Sequence, residues 1–187
     1  MIKKAIYQNF LVFFAYFIFY EIQRSTFFLV QSRYFGTDNI LTGVASWVFL
    51  PHGVRVLSYI FFGPKIFFGL FAGHLVTSLN FSNIIYLNIF AGFFSSICAL
   101  IAIRIYIGRY TIQQISELNI KLIILVSLLA AVLNSVFVNF SRLAFIDDFE
   151  LEFGHQVLQF IVGDILGTIV LFYLFNFIKK IIKISFY

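Results

Sequence analysis

Arg55 lies near the middle of residues 41–62, LTGVASWVFLPHGVRVLSYIFF, a stretch apolar at both ends. A cation in such a segment costs about 3 kcal/mol or more unless it is paired or hydrated, so it marks a function or a structural partner. Four further polar residues stand in similar surroundings: His52 in the same stretch, then His74, Asn134 and Asp164, the one acid comparably deep. His52 and Arg55 are three apart and share a helix face. Pro51, read as a mid-span residue, would kink the helix and free carbonyls for binding. Three chemistries are open to this set. Arg55 and Asp164 can form a structural ion pair, with His52, His74 and Asn134 satisfying the remaining hydrogen bonds. The set can line a pocket for a small ligand, an anion included, with Arg55 and a protonatable histidine as donors and triggers. His52, His74 and Asp164 can bind a metal, but they sit on three spans without a compact spacing motif, and no metal or cofactor is expected.

The elements that must position these residues are membrane helices. The chain is 61% hydrophobic, 21% aromatic and 11% charged, against about 25% charged in a soluble domain. At 187 residues it forms a single transmembrane domain, 1–187. A helix needs roughly 20 apolar residues to cross a bilayer. Six stretches qualify or nearly so: about 5–22, with helix continuing toward residue 30, then 41–62, 64–79, 81–107, 120–143 and 155–178. Gly63-Pro64 reads as a tight turn. The alternation that a closed barrel needs is missing. The expected fold class is therefore an all-α integral membrane protein, a bundle of six transmembrane helices.

Charge sets the orientation. With both termini in the cytoplasm, Lys3, Lys4, Lys65, Arg104, Arg109, Lys121, Lys179, Lys180 and Lys183 fall inside, and Arg24, Arg33 and Arg142 outside. That bias satisfies the positive-inside rule. Asp147, Asp148, Glu150 and Glu152 then form an outer acidic loop, read as a solvated face. The net charge of +5 is spread over loop positions. No basic run with interleaved aromatics occurs, so nucleic acid is not an expected partner. Lys3 and Lys4 before an apolar run resemble a signal peptide, but no small-residue cleavage site follows, so an uncleaved first helix is expected. Cys98 is the only cysteine, which excludes an internal disulfide. Trp47, Tyr106 and Tyr110 read as interfacial anchors, and His155 as an interfacial residue.

Two Gly-x-x-x-Gly spacings, Gly69–Gly73 before His74 and Gly163–Gly167 around Asp164, allow close helix approach. Signatures of zinc peptidases, serine hydrolases and phosphate-binding loops are missing. A single intramembrane carboxylate also leaves acid–base chemistry without a second partner. The expectation is a protein that is not an enzyme.

The run Ala45-Ser46-Trp47-Val48-Phe49-Leu50-Pro51-His52-Gly53-Val54-Arg55, the glycine at 63, and Gly163-Asp164-Ile165-Leu166-Gly167 late in the chain carry a resemblance. Over roughly residues 40–180 the chain resembles the membrane-associated sensor domain found ahead of bacterial diguanylate cyclases and sensor histidine kinases. The resemblance implies an integral-membrane sensory module with Trp47, Pro51, Gly53 and Asp164 at its characteristic positions. It departs in having six spans where about eight are usual, Arg55 where an apolar residue is usual, and no effector domain after Tyr187. The expected function is a non-enzymatic sensory or ligand-binding module of the bacterial inner (plasma) membrane. It would signal through a separate membrane or cytoplasmic partner protein. A small transporter or its substrate-binding subunit, with glycine faces docking an energising module, is the second reading. A purely structural membrane subunit is the third.

Overall fold

The computed structural model describes residues 2–28, 47–80, 82–106, 120–146 and 153–182. Helix accounts for 93% of them, and no strand occurs among them. The α-helices are α1 (Ile2–Gln23, continued by a π-helical turn Arg24–Phe28), α2 (Leu50–Phe62), α3 (Phe67–Ser78), α4 (Ile85–Tyr106), α5 (Ile120–Phe145) and α6 (Phe153–Ile182). Stretches in α1, α4, α5 and α6 are long and apolar enough to cross a membrane.

The distribution of side chains is that of a lipid-facing protein. Along α1 the buried stripe is Gln8, Val12, Tyr16, Tyr20 and Gln23, a spacing of one helical turn. The outward positions are Phe10, Phe14 and Ile18, all at least half exposed. Polar groups turned inward and large apolar ones turned outward suit a hydrocarbon solvent, where backbone and side-chain polar groups must be satisfied internally.

At the centre runs α2. Ten of its residues, from Leu50 to Ile60, are buried, His52 and Arg55 among them. At 13 residues it is about 20 Å long, short of the ~30 Å hydrocarbon layer. The span expected over 41–62 is corrected accordingly. Residues 47–49 are not helical, and 41–46 lie outside the described residues. Pro51 therefore sits in the first turn of α2 and does not kink a mid-span helix. The first turn tolerates proline because its N–H would have no intrahelical partner. The donors at this end find partners on neighbouring helices: Phe49 N–H donates to the Gly163 carbonyl (2.8 Å) and Leu50 N–H to Gln23 Oε1 (2.9 Å).

The turn expected at Gly63-Pro64 is present. Gly63 takes φ +72°, its N–H donates to the Tyr59 carbonyl (2.9 Å), and a short 3-10 turn over Pro64–Ile66 leads into α3. The third span thus becomes a 12-residue α3. The fourth begins at Ile85 where 81 was expected, and the fifth and sixth run a few residues beyond their expected ends. Phe81, Ile107, Arg33, Arg109, Tyr110, Lys183 and the acidic loop at 147–152 lie outside the described residues.

Both glycine pairs are used inside the molecule. A side chain at Gly69 would strike the backbone of Asn9, and one at Gly73 would meet the Tyr16 ring at 3.0 Å. Asn9 closes this seam: its Oδ1 accepts from Gly69 N–H (2.6 Å), while its Nδ2 donates to the Lys65 carbonyl (2.8 Å). On the other side of the bundle, Gly167 faces the Phe49 carbonyl, and Gly53 faces the Gly167 carbonyl and Thr168 Cα, each 2.9 Å from an added Cβ. α4 and α5 pack antiparallel, with Phe94 on Phe137 and Phe90 on Phe145, and Phe140 meets Phe153 where α5 gives way to α6.

Candidate functional site: a donor-lined cavity

The expected polar residues assemble as two adjacent sets, and the pairing differs from the simplest expectation. Arg55 does not pair with Asp164: among the described residues no carboxylate lies within 4.0 Å of its guanidinium. Its Nη2 donates to Tyr16 Oη (2.7 Å) and approaches His74 Nδ1 (3.1 Å), and Tyr16 Oη lies 3.1 Å from the same nitrogen. A guanidinium only donates, so Nδ1 must accept. The assigned state of His74 is the neutral ring with its proton on Nε2. The guanidinium also lies against two rings, 5.3 Å from the centre of Tyr16 and 5.4 Å from that of Phe49.

Asp164 belongs to the second set. Its Oδ2 accepts from Asn134 Nδ2 (2.7 Å), and Asn134 Oδ1 accepts from Ser95 Oγ (2.8 Å). His52 Nδ1 stands 3.0 Å from the same carboxylate oxygen, in ion-pair range but off the hydrogen-bonding direction. One turn along α6, Thr168 Oγ1 donates to the Asp164 carbonyl and accepts from Ser127 Oγ, each at 2.9 Å.

The physical reason for this division is the rotation of α2. Residues three apart on a helix point about 60° away from each other. The close contact of Gly53 with Gly167 and Thr168 sets α6 against one side of α2. His52 then meets Asp164, while Arg55 turns toward α1 and α3.

Between the helices lies a cavity of about 140 Å³ bounded by residues of all six. Tyr16, Arg55, His74, Ser95, Asn134 and Arg142 are among its polar lining residues, with Thr77, Ser78 and Asn88 beside them, and Leu87, Ala91, Val138 and Phe160 belong to its apolar wall. Asp164 stands behind Asn134 and is not among the lining residues. No carboxylate lines the cavity among the described residues. Ser82 and Ile146 mark its outer limit, at the end where α3 and α5 finish and α4 begins. This end is opposite the Gly63 turn.

Sequence reading locates His52, Arg55, His74, Asn134 and Asp164, and all but His52 and Asp164 line the cavity. It misses Tyr16, Ser95 and Arg142. Tyr16 has a signal, the polar residues recurring every turn along α1. Arg142, expected in the outer loop, is 9% exposed, lies in the last turn of α5 and stacks on Phe160 at 4.8 Å. The metal reading is not supported by geometry. His74 turns to Arg55, and no group of three or more metal-ligating side chains is found among the described residues. His155 is exposed in the first turn of α6, and Cys98 is buried in α4. Trp47 is partly exposed just before α2.

Fold and site together define an all-helical membrane protein with an internal, donor-lined cavity. Comparison of the chain with protein-family models, with curated proteins and with solved structures finds no match.

Proposed function

We propose that the chain is a non-enzymatic ligand-binding module of the bacterial plasma membrane, of sensory type, that passes its state to a separate partner protein. The observation that carries this reading is Arg55. It is 1% exposed, it lines the cavity, and among the described residues its Nε and Nη1 have no hydrogen-bond partner. Leaving charged N–H groups unfilled inside a protein is costly, and a site that binds something is the economical explanation of it.

In this reading α1, α4, α5 and α6 cross the membrane, α2 and α3 form a hairpin packed among them, and both termini are cytoplasmic. Exposed Lys3, Lys4, Lys65, Arg104 and Lys121 gather at the end where α1 starts and α4 ends, which supports it. The ligand then enters from the outer face. Ligand at Arg55 would bias α2, whose His52 meets the Asp164 network one turn away. The shift would reach the cytoplasmic end through the Gly63 turn. The resemblance to membrane-associated sensor domains points the same way. A substrate-capture subunit of a transporter is the weaker reading, because the glycine faces it would use for docking are occupied within the chain.

The test is thermal unfolding of purified protein with and without small-molecule fractions of its host cells. A fraction holding the ligand at ~100 Kd stabilises by about 2.7 kcal/mol, a midpoint shift of roughly 5 °C or more. Ala91→Leu, which fills the cavity wall, should fold and show no shift. An equal shift in Ala91→Leu, or none in the wild type with any fraction, contradicts the reading.

A further inference from the structure

We infer that the groove between α1 and α3, at the end of the bundle where both helices begin, holds one anionic phospholipid. An acyl chain lies along the groove and the phosphate meets Lys65. The site shares no lining residue with the internal cavity.

The first argument is shape. Gly69 meets Asn9 and Gly73 meets Tyr16, so α1 and α3 run side by side in the same direction. Beside this seam lies a groove of about 610 Å³. The small residues Ala5, Gly69 and Ala72 leave the hollow, and Phe10 and Phe68, 61% and 74% exposed, stand along it. It follows α1 from Ile2 to Phe13, a rise of about 17 Å. That is close to half of the ~30 Å hydrocarbon layer, the depth that an acyl chain of one leaflet fills.

The second argument is the placement of polar groups. Apart from Asn9 and Lys65 the lining is apolar. Asn9 is occupied within the chain: its Nδ2 donates to the carbonyls of Ala5 and Lys65, and its Oδ1 accepts from Gly69 N–H. The length of the groove therefore asks for no polar partner. Its charge is confined to one end. Lys65 is exposed just before α3, and Lys3 is exposed in the first turn of α1. Among the described residues neither has a carboxylate within 4.0 Å. Glu21 lies about 18 Å beyond Asn9 along α1 and pairs with Arg24, and Asp164 is buried in α6. An apolar trough with uncompensated cations at one end is complementary to an amphiphile with an anionic head. In the orientation proposed above this end is cytoplasmic, and the cytoplasmic leaflet is the one that draws basic side chains to anionic lipid. A lipid seated here braces α1 against α3, the helices that bring Tyr16 and His74 to the cavity.

The test uses the whole chain, stripped of lipid in a neutral detergent. It is titrated with dioleoyl phosphatidylglycerol, dioleoyl phosphatidylcholine and glycerol phosphate, and the unfolding midpoint and the bound mass in native mass spectrometry are read. Phosphatidylglycerol should raise the midpoint saturably, with one molecule retained. Phosphatidylcholine, with the same chains, should bind more weakly, and glycerol phosphate should do nothing. Lys65→Gln, at an exposed side chain, should weaken apparent affinity for phosphatidylglycerol about fivefold. Ala72→Leu, which fills the hollow, should abolish retention. Arg104→Gln removes an exposed cation outside the groove and should leave affinity unchanged. Should Ala72→Leu fail to fold, Lys65→Gln against Arg104→Gln still decides. Equal affinity for the two lipids overturns the anionic head, and stabilisation by glycerol phosphate overturns the lipid. Equal losses in Lys65→Gln and Arg104→Gln, or wild-type retention in Ala72→Leu, overturn the site.

Discussion

Replacing Gly167 with alanine is expected to destabilise the protein by about 3 kcal/mol or more. An alanine Cβ at this position would collide with the carbonyl of Phe49 and come within 2.9 Å of the Leu50 nitrogen. Both are backbone atoms, so no side chain can swing aside. The start of α2 must retreat, and overpacking of this kind costs roughly 1–3 kcal/mol. Retreat also breaks the bonds from Phe49 N–H to Gly163 and from Leu50 N–H to Gln23. Each buried donor so orphaned costs about 1–3 kcal/mol more. Gly154→Ala is the control. It lies in the first turn of the same helix with nothing within 4 Å of its added Cβ, so it should be neutral or gain at most about 0.5 kcal/mol from helix propensity. Chemical unfolding of both variants in mixed micelles measures the difference. A Gly167→Ala protein within about 0.5 kcal/mol of wild type would contradict the seating of α2 on α6.

Asp164→Ala is expected to be nearly as costly. The carboxylate is fully buried and serves Asn134 and His52 at once. Removing it orphans the Asn134 amide, at about 1–3 kcal/mol, and leaves a void beside the buried His52 ring. Asn134 then loses its hold and one wall of the cavity loses its shape. Asp164→Asn keeps an acceptor for the Asn134 amide and should retain a large part of the stability. A double-mutant cycle between Asp164→Ala and Asn134→Ala should show coupling of about 1–3 kcal/mol. Additive costs would mean that the two residues do not act together.

Much of this architecture is legible in the residues. An 11% charged, 61% hydrophobic chain announces membrane helices, and hydropathy places α5 and α6 to within a few residues of their observed ends. The Gly63-Pro64 turn is read from two residues. The glycine spacings announce close seams, although only packing reveals that Gly69 meets Asn9 and Gly167 meets Phe49. The start of α2 is hidden because Pro51 is equally at home in a first turn and in a kink, and only tertiary contacts choose. The pairing of the polar set is hidden for a related reason. Spacing puts His52 and Arg55 on one face, but the two diverge by about 60°, and which neighbour fills each direction depends on the rotation of α2. Tyr16 escapes notice because a tyrosine in an aromatic-rich helix reads as lipid-facing until its turn-by-turn register with Gln8, Val12, Tyr20 and Gln23 is counted.

The most direct measurement of the cavity is thiol accessibility at Ala91, in a background where buried Cys98 is replaced by alanine. Ala91→Cys in intact cells is treated from outside with thiosulfonate reagents of similar size, one bearing a sulfonate and one a trimethylammonium group. A donor-lined cavity open to the outer face gives modification by both, faster for the anionic reagent by about tenfold or more. Protection of the introduced thiol from both reagents, or a preference for the cationic one, would contradict an outward-facing, donor-lined cavity at Arg55.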